Sequence, residues 1–258
     1  MQSIQCTPDL ARRLAPLFDG DRPIPIRLWA VLDGLIPGRV VADDPAQPAW
    51  ALVQELAEGT AYIGGAPAPE QLAGGLALLR ASQAAVVCLW PDDRRWAMLP
   101  AAPSYQGTAI DFLDRAPDVD LGRLAALPAG YALRPIDAAL AASLAGFDYY
   151  DAMFGGREAA LAQTIGACVL HDGAVVAEAV AGPLVRGLAE IGVGTAEAHR
   201  RRGLAAAVAA HVIRAVEARG YRAFWNAAAH NTPSVALARR LGFRTERPFT
   251  VRVWERLA

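Results

Sequence analysis

The chain has 258 residues, 54% hydrophobic and 20% charged, with a formal net charge of -1. That length suits one large domain or two ordinary ones. The near-neutral balance removes any global electrostatic case for nucleic acid or an acidic membrane as partner. All 25 basic residues are arginine, which reads as coding bias without functional content. Cys6, Cys88 and Cys168 are too few and too scattered for a disulfide framework, and none has metal-ligand spacing, so no metal is expected. Cys88 and Cys168 lie in apolar runs and read as buried strand residues. No run reaches membrane-spanning length and the N-terminus lacks a signal-peptide pattern, so a cytoplasmic protein is expected.

In chain order, the first half reads as helices over residues 9–18 and 27–35, a strand over 39–42, a helix over 49–58 and a strand over 60–64. A helix over 70–81, a strand over 84–89, a hairpin around Asp92-Asp93 and a helix over 115–127 follow. Pro128-Ala129-Gly130 marks a boundary, giving domains 1–128 and 129–258. Asp43 and Asp44, just before Pro45, read as a solvated turn rather than a catalytic carboxylate pair.

The second half opens on a strand at Tyr131, a helix over 138–144, an aromatic and acidic loop over 146–156, and a short helix over 157–163. Strands over 165–170 and 174–181 flank His171-Asp172-Gly173, a strong tight-turn signal. A strand over 188–195 leads to a long helix over 202–219, with Leu204, Val208, Val212 and Val216 on one face and Gly220 as its stop. A strand over 222–227, a helix opening at Asn231 and ending at Leu241-Gly242, and a closing strand pair over 243–257 complete the chain.

The stretch that organises this half is LAEIGVGTAEAHRRRGLA, residues 188–205. Arg200, Arg201 and Arg202 stand at a helix N-terminus, where the dipole favours anions and opposes cations. Surplus arginine, free N–H groups and Gly203 for close approach outline a phosphate site.

Arg200, Gly203 and Ala205 form R-x-x-G-x-A, which resembles the pyrophosphate loop of the GNAT superfamily of N-acetyltransferases. The element order from Tyr131 onward and the tail Asn231-x-x-Ser234 with Leu241-Gly242-Phe243 extend the resemblance over the second half. It implies an α/β (α+β) fold: a GNAT domain with a mixed, mostly antiparallel sheet flanked by helices. The N-terminal α/β domain is compatible with a degenerate GNAT-like unit, although no internal repeat shows it. Two-domain family members, the zwittermicin A self-resistance acetyltransferase among them, are the subgroup it resembles.

The resemblance implies acetyl-CoA as acyl donor and a small-molecule primary amine as acceptor, joined by direct transfer in a ternary complex. It assigns the backbone of Val193 and Thr195 to the pantetheine, and Arg200, Arg201, Arg202, Gly203, Leu204 and Ala205 to the pyrophosphate, with a side chain at position 203 expected to clash. Asn231 and Ser234 would bond the pantetheine, though Asn231 is equally good helix-capping chemistry. Transfer needs a base, an oxyanion donor and an acid. The expected base is Glu190, with Glu178 and His230 as fallbacks, and the oxyanion donor is the Val193 N–H. Glu190 and Val193 are three apart, so a bulge between them is expected to bring them to one face. Where many relatives carry an acidic tyrosine this chain has Ala238, leaving Ser234 or water as acid. Asp148, Tyr149 and Tyr150, with Asp151, suit a cationic amine. The rival reading is a non-catalytic acyl-CoA-binding or regulatory module on the same fold.

Overall fold

The computed structural model describes residues 2–20, 23–144 and 146–258. It divides into two compact units, Met1–Ala109 with Pro248–Ala258, and Ile110–Arg247. The division falls earlier than residue 128. Phe112 and Leu121 already belong to the second unit's core, and the end of the chain completes the first unit's sheet.

The first unit contains β1 (Ser3–Gln5), α1 (Pro8–Leu14), α2 (Ile26–Leu32), β2 (Gly38–Ala42), β3 (Trp50–Glu55), β4 (Thr60–Gly65), α3 (Pro69–Arg80) and β5 (Ala85–Leu89), and most of β6 (Tyr105–Phe112). Strands β1 to β4 pair antiparallel in sequence, and α3 then crosses over to place β5 parallel to β4. The second unit contains α4 (Leu121–Leu124), β7 (Tyr131–Pro135), α5 (Ala138–Ser143), α6 (Phe147–Phe154), α7 (Arg157–Ala162), β8 (Ile165–His171), β9 (Ala174–Val185), β10 (Leu188–Thr195), α8 (Leu204–Ala218), β11 (Arg222–Ala228) and α9 (Thr232–Arg240). The last strand, β12 (Glu246–Trp254), begins here and pairs with β5 of the first unit. Strands β7 to β10 again pair antiparallel in sequence, and α8 crosses over to place β11 parallel to β10. The two units therefore share one topology, a duplication that the sequence does not display.

Each unit packs its crossover helix on a sheet face. Leu204, Val208, Val212 and Val216 of α8 are all buried against Ala189 and Ile191 of β10, as their spacing predicts. Leu72, Leu76 and Leu79 of α3 are buried with Leu52 and Ile63 in the first unit.

Several local expectations are corrected. Residues 50–55 form β3 rather than a helix. All six are buried, and a strand covered on both faces loses the alternation that would have marked it. The hairpin at Asp92-Asp93 is a 3-10 turn over Arg94–Met98, capped by the Asp93 carboxylate accepting from Arg95 N–H. Only α4 survives of the helix over 115–127, and polar β6 went unread. The aromatic loop is α6, which ends at Gly155 in the left-handed region. The closing pair is the single strand β12. Cys168 is buried in β8, whereas Cys88 in β5 is half-buried.

Candidate active site

The site begins where two parallel strands part. Strands β10 and β11 pair only from Leu188 opposite Arg222 to Glu190 opposite Phe224, yet β10 runs on to Thr195 and β11 to Ala228. Ala196 N–H donates to Val176 O at 2.9 Å, toward β9. Alternation along an extended strand then turns the N–H and C=O of Val193 and Thr195 away from β9, toward the gap. The Thr195 hydroxyl is buried beside it with no hydrogen-bond partner among the described residues.

Beyond the gap lies the arginine loop. Arg201 and Gly203 both have left-handed backbones, at φ 60° and 82°. Helix α8 starts at Gly203 with no side-chain cap and no acidic residue in its first turn. Its first intrahelical bond runs from Ala207 N–H to Gly203 O at 3.0 Å, so the N–H groups of Leu204, Ala205 and Ala206 lack intrahelical acceptors. These residues, with Val193, Thr195, Asn231 and Ser234, line a groove of about 540 Å³. Arg200, Arg201 and Arg240 line it too, and none of the three makes an ion pair among the described residues. Arg200 donates to Thr195 O at 3.3 Å.

Arg202 is exposed and is not among the lining residues. A Cβ at Gly203 would meet no atom of the chain within 4 Å, and the positive φ by itself favours glycine there. His199 and Arg240 were missed. His199 shares a 3.0 Å hydrogen bond with Tyr131. Arg240 follows Asn231, Ser234 and Leu237 at three-residue steps, a spacing that places it on the same helix face. Asn231 does cap α9, its side chain accepting from Ser234 N–H at 3.3 Å. The Ser234 hydroxyl accepts from the buried Trp225 indole at 3.1 Å, which leaves its own hydrogen free to donate. Ala238 is fully buried in the core.

A second cavity of about 500 Å³ meets the groove at Gly194 and Thr195. It lies on the other face of β10. Ala189 and Ile191 pack toward α8, while Gly192 and Gly194 face Tyr150 and Glu178. Glu178 on β9 stands opposite Gly194 and is, among the described residues, the one charged residue lining the cavity. Burial raises its pKa above the ordinary 4.5. A Cβ on Gly146 would collide with Glu178 Oε1, so the carboxylate lies directly over that glycine.

Glu190 shares this face but sits at the paired root of β10 and lines neither cavity. The irregularity beside it adds its extra residue to β9, where two steps on β10 oppose three from Leu184 to Ala181. Val193 therefore keeps the face of Ile191, and the bulge expected between Glu190 and Val193 is absent. His230 is exposed and lines neither cavity. Of the proposed acceptor residues, Asp151 is bound by Arg157 at 2.6 Å and the exposed Asp148 stands 3.8 Å from the same guanidinium. Tyr149 packs edge-on to Tyr150, whose hydroxyl lies over Gly192.

The matching turn in the first unit is built differently. Between β4 and α3, Pro67 and Pro69 have no N–H, Ala68 N–H is taken by Gln71 Oε1 at 2.8 Å, and Glu70 occupies the first helical turn. Arg95 donates to Ile63 O of β4 at 3.0 Å and pairs with Asp93. That turn therefore offers fewer free N–H groups than the one at Gly203 and sets the Glu70 carboxylate in the first helical turn.

The chain matches the GNAT acetyltransferase family over residues 16–252. It is 26% identical over 253 residues to "Uncharacterized N-acetyltransferase YdfB" of Bacillus subtilis (strain 168), covering 92% of this chain and 93% of that one. The solved structure of a GCN5-related N-acetyltransferase-like protein from Streptococcus suis 89/1591 superposes with TM-score 0.69 at 25% identity, covering 94% and 98% of the two chains. A tandem GNAT protein from the clavulanic acid biosynthesis pathway superposes with TM-score 0.60 at 15% identity over 98% of each, a likeness of fold alone. The protein belongs to the GNAT acetyltransferase family. It is accordingly an N-acetyltransferase, and membership implies acetyl-CoA as donor and a small-molecule acceptor. Among the described residues no helix is long and apolar enough to cross a membrane.

Proposed function

We propose that the second unit binds acetyl-CoA in the arginine-lined groove and acetylates a primary amine held beside Glu178. The carrying observation is the meeting of two cavities at Gly194 and Thr195, one lined by arginines without ion pairs and the other holding a half-buried carboxylate. The residues suit the donor: free α8 N–H groups and the guanidiniums of Arg200, Arg201 and Arg240 for the pyrophosphate, and the Val193 and Thr195 backbone for the pantetheine amides. The unpartnered Thr195 hydroxyl marks a polar group that a ligand would satisfy. Bound acetyl-CoA supplies the acetyl group as a thioester, whose C–S bond breaks as the amine N–C bond forms.

Glu178 takes the proton from the attacking amine. Burial holds its pKa above the ordinary 4.5, which strengthens it as a base. We favour it over Glu190 because Glu178 alone of the two lines a cavity. The Val193 N–H faces the gap as the oxyanion donor. Ser234, its oxygen held by Trp225, keeps a hydrogen to give to the leaving sulfur. The repeated topology supports a two-domain acetyltransferase; our reading makes it one of the zwittermicin A self-resistance type, acting in the cytoplasm, with its donor site in the second unit.

The test is calorimetric titration with acetyl-CoA, joined to thiol release across a panel of primary amines. Binding with amine-dependent release that Glu178→Gln abolishes supports the reading. Binding without release from any amine favours the acyl-CoA-binding module instead, and no binding removes the donor site.

A further inference from the structure

Resting on the function just proposed, we infer that the acceptor is a monocationic amine with an apolar body and no carboxylate or phosphate. The cavity beside Glu178 is walled by Leu140, Leu144, Leu170 and Val176. Among the described residues its charged lining is Glu178 alone, with no arginine or histidine. An acceptor carrying a carboxylate or phosphate would bring that charge beside an existing carboxylate, with no cation among the described lining residues to meet it. A polyamine would bring further cations that lack partners, since Asp148 and Asp151 lie against Arg157 and outside this cavity.

A single ammonium matches a single carboxylate, and the leucine and valine walls match an alkyl or aryl body. Ser143 is the other polar side chain beside Thr195 and Glu178, so little is offered to a polyhydroxylated amine. The volume, about 500 Å³, is within the range for drug-sized ligands. Glycines 146, 173 and 194 line the same space and add no polar side chain that would narrow this selection.

The experiment compares matched acceptors with the full-length protein at saturating acetyl-CoA, read as thiol release and as N-acetyl product by mass. 2-Phenylethylamine and phenylalanine differ only in the carboxylate, and spermidine adds cations. The expected kcat/KM for 2-phenylethylamine exceeds those for phenylalanine and spermidine by about 100-fold or more, the scale of leaving a charge unpaired in such a site. Val175→Arg, at a half-buried lining position, should narrow the gap between phenylalanine and 2-phenylethylamine at least tenfold by supplying the missing cation. Preferred turnover of phenylalanine or spermidine would overturn the acceptor class while leaving the transferase intact. Binding of acetyl-CoA with no release by any amine would overturn the transferase reading and this inference with it.

Discussion

Glu178 Oε1 lies over Gly146, so closely that even a methyl group on that glycine would displace it. Gly146 precedes α6 with an ordinary helical φ of -66°, so its lack of a side chain matters for space rather than for backbone freedom. Gly194 plays the matching part on β10, facing the Glu178 stem. Two glycines from distant stretches thus make room for one carboxylate.

Gly146→Ala should therefore move the carboxylate without touching the donor groove. We expect kcat to fall about tenfold or more, as small displacements of a catalytic group do, with acetyl-CoA affinity unchanged by calorimetry. An equal loss of affinity would show that the substitution disturbs the fold around β10 instead.

Glu178 links activity to pH. The base must be ionised, so kcat/KM should rise with pH through a pKa above 4.5. Cys168 stands beside it on β8, and no cation among the described residues lines the cavity to lower that pKa. Glu178→Gln should lower kcat by about 10²–10⁴-fold and remove that limb of the pH profile.

The same burial has a stability consequence. The folded state binds the Glu178 proton more tightly than the unfolded chain, so protonation favours folding. That stability is complete below the unfolded pKa and is lost as pH rises through the folded one. Once ionised, the half-buried group is a net cost. Glu178→Gln should raise Tm at pH 7 and show no gain near pH 4, read by thermal melts at the two values.

Gly203→Glu should weaken acetyl-CoA binding at least 100-fold. The backbone at φ 82° costs a non-glycine residue roughly 1–2 kcal/mol, and the new carboxylate faces the place prepared for phosphate. Arg202→Ala, at an exposed position outside the groove, should bind nearly as the wild type does. Titration of both variants separates a phosphate site from a general basic patch.

Ser234→Ala strands the Trp225 indole N–H in a core where that ring is 1% exposed. Denaturant melts should show a loss of about 1–3 kcal/mol, the cost of an unsatisfied buried donor. Separately, one acetyl-CoA should bind per chain, because Pro67 and Pro69 lack N–H groups, the Ala68 N–H is taken and Glu70 sets a carboxylate in the first unit's matching turn. A stoichiometry of two would contradict that reading.

The sequence by itself determined the second unit's element order, the α8 face of Leu204, Val208, Val212 and Val216, and the arginine loop. Each rests on residues close in the chain, whose spacing and turn chemistry are written locally. It determined far less where burial on both faces erased alternation, as in β3, or where polar residues disguised a strand, as in β6. The tertiary structure alone decided which carboxylate stands in a cavity. Glu190 and Glu178 are both half-buried glutamates in apolar strands, and only register across β8, β9 and β10, with the small residues facing them, tells the two apart. The duplication and the closing strand β12 were decided there as well. Pairing between strands distant in sequence leaves no local mark when the side chains on the shared topology have diverged.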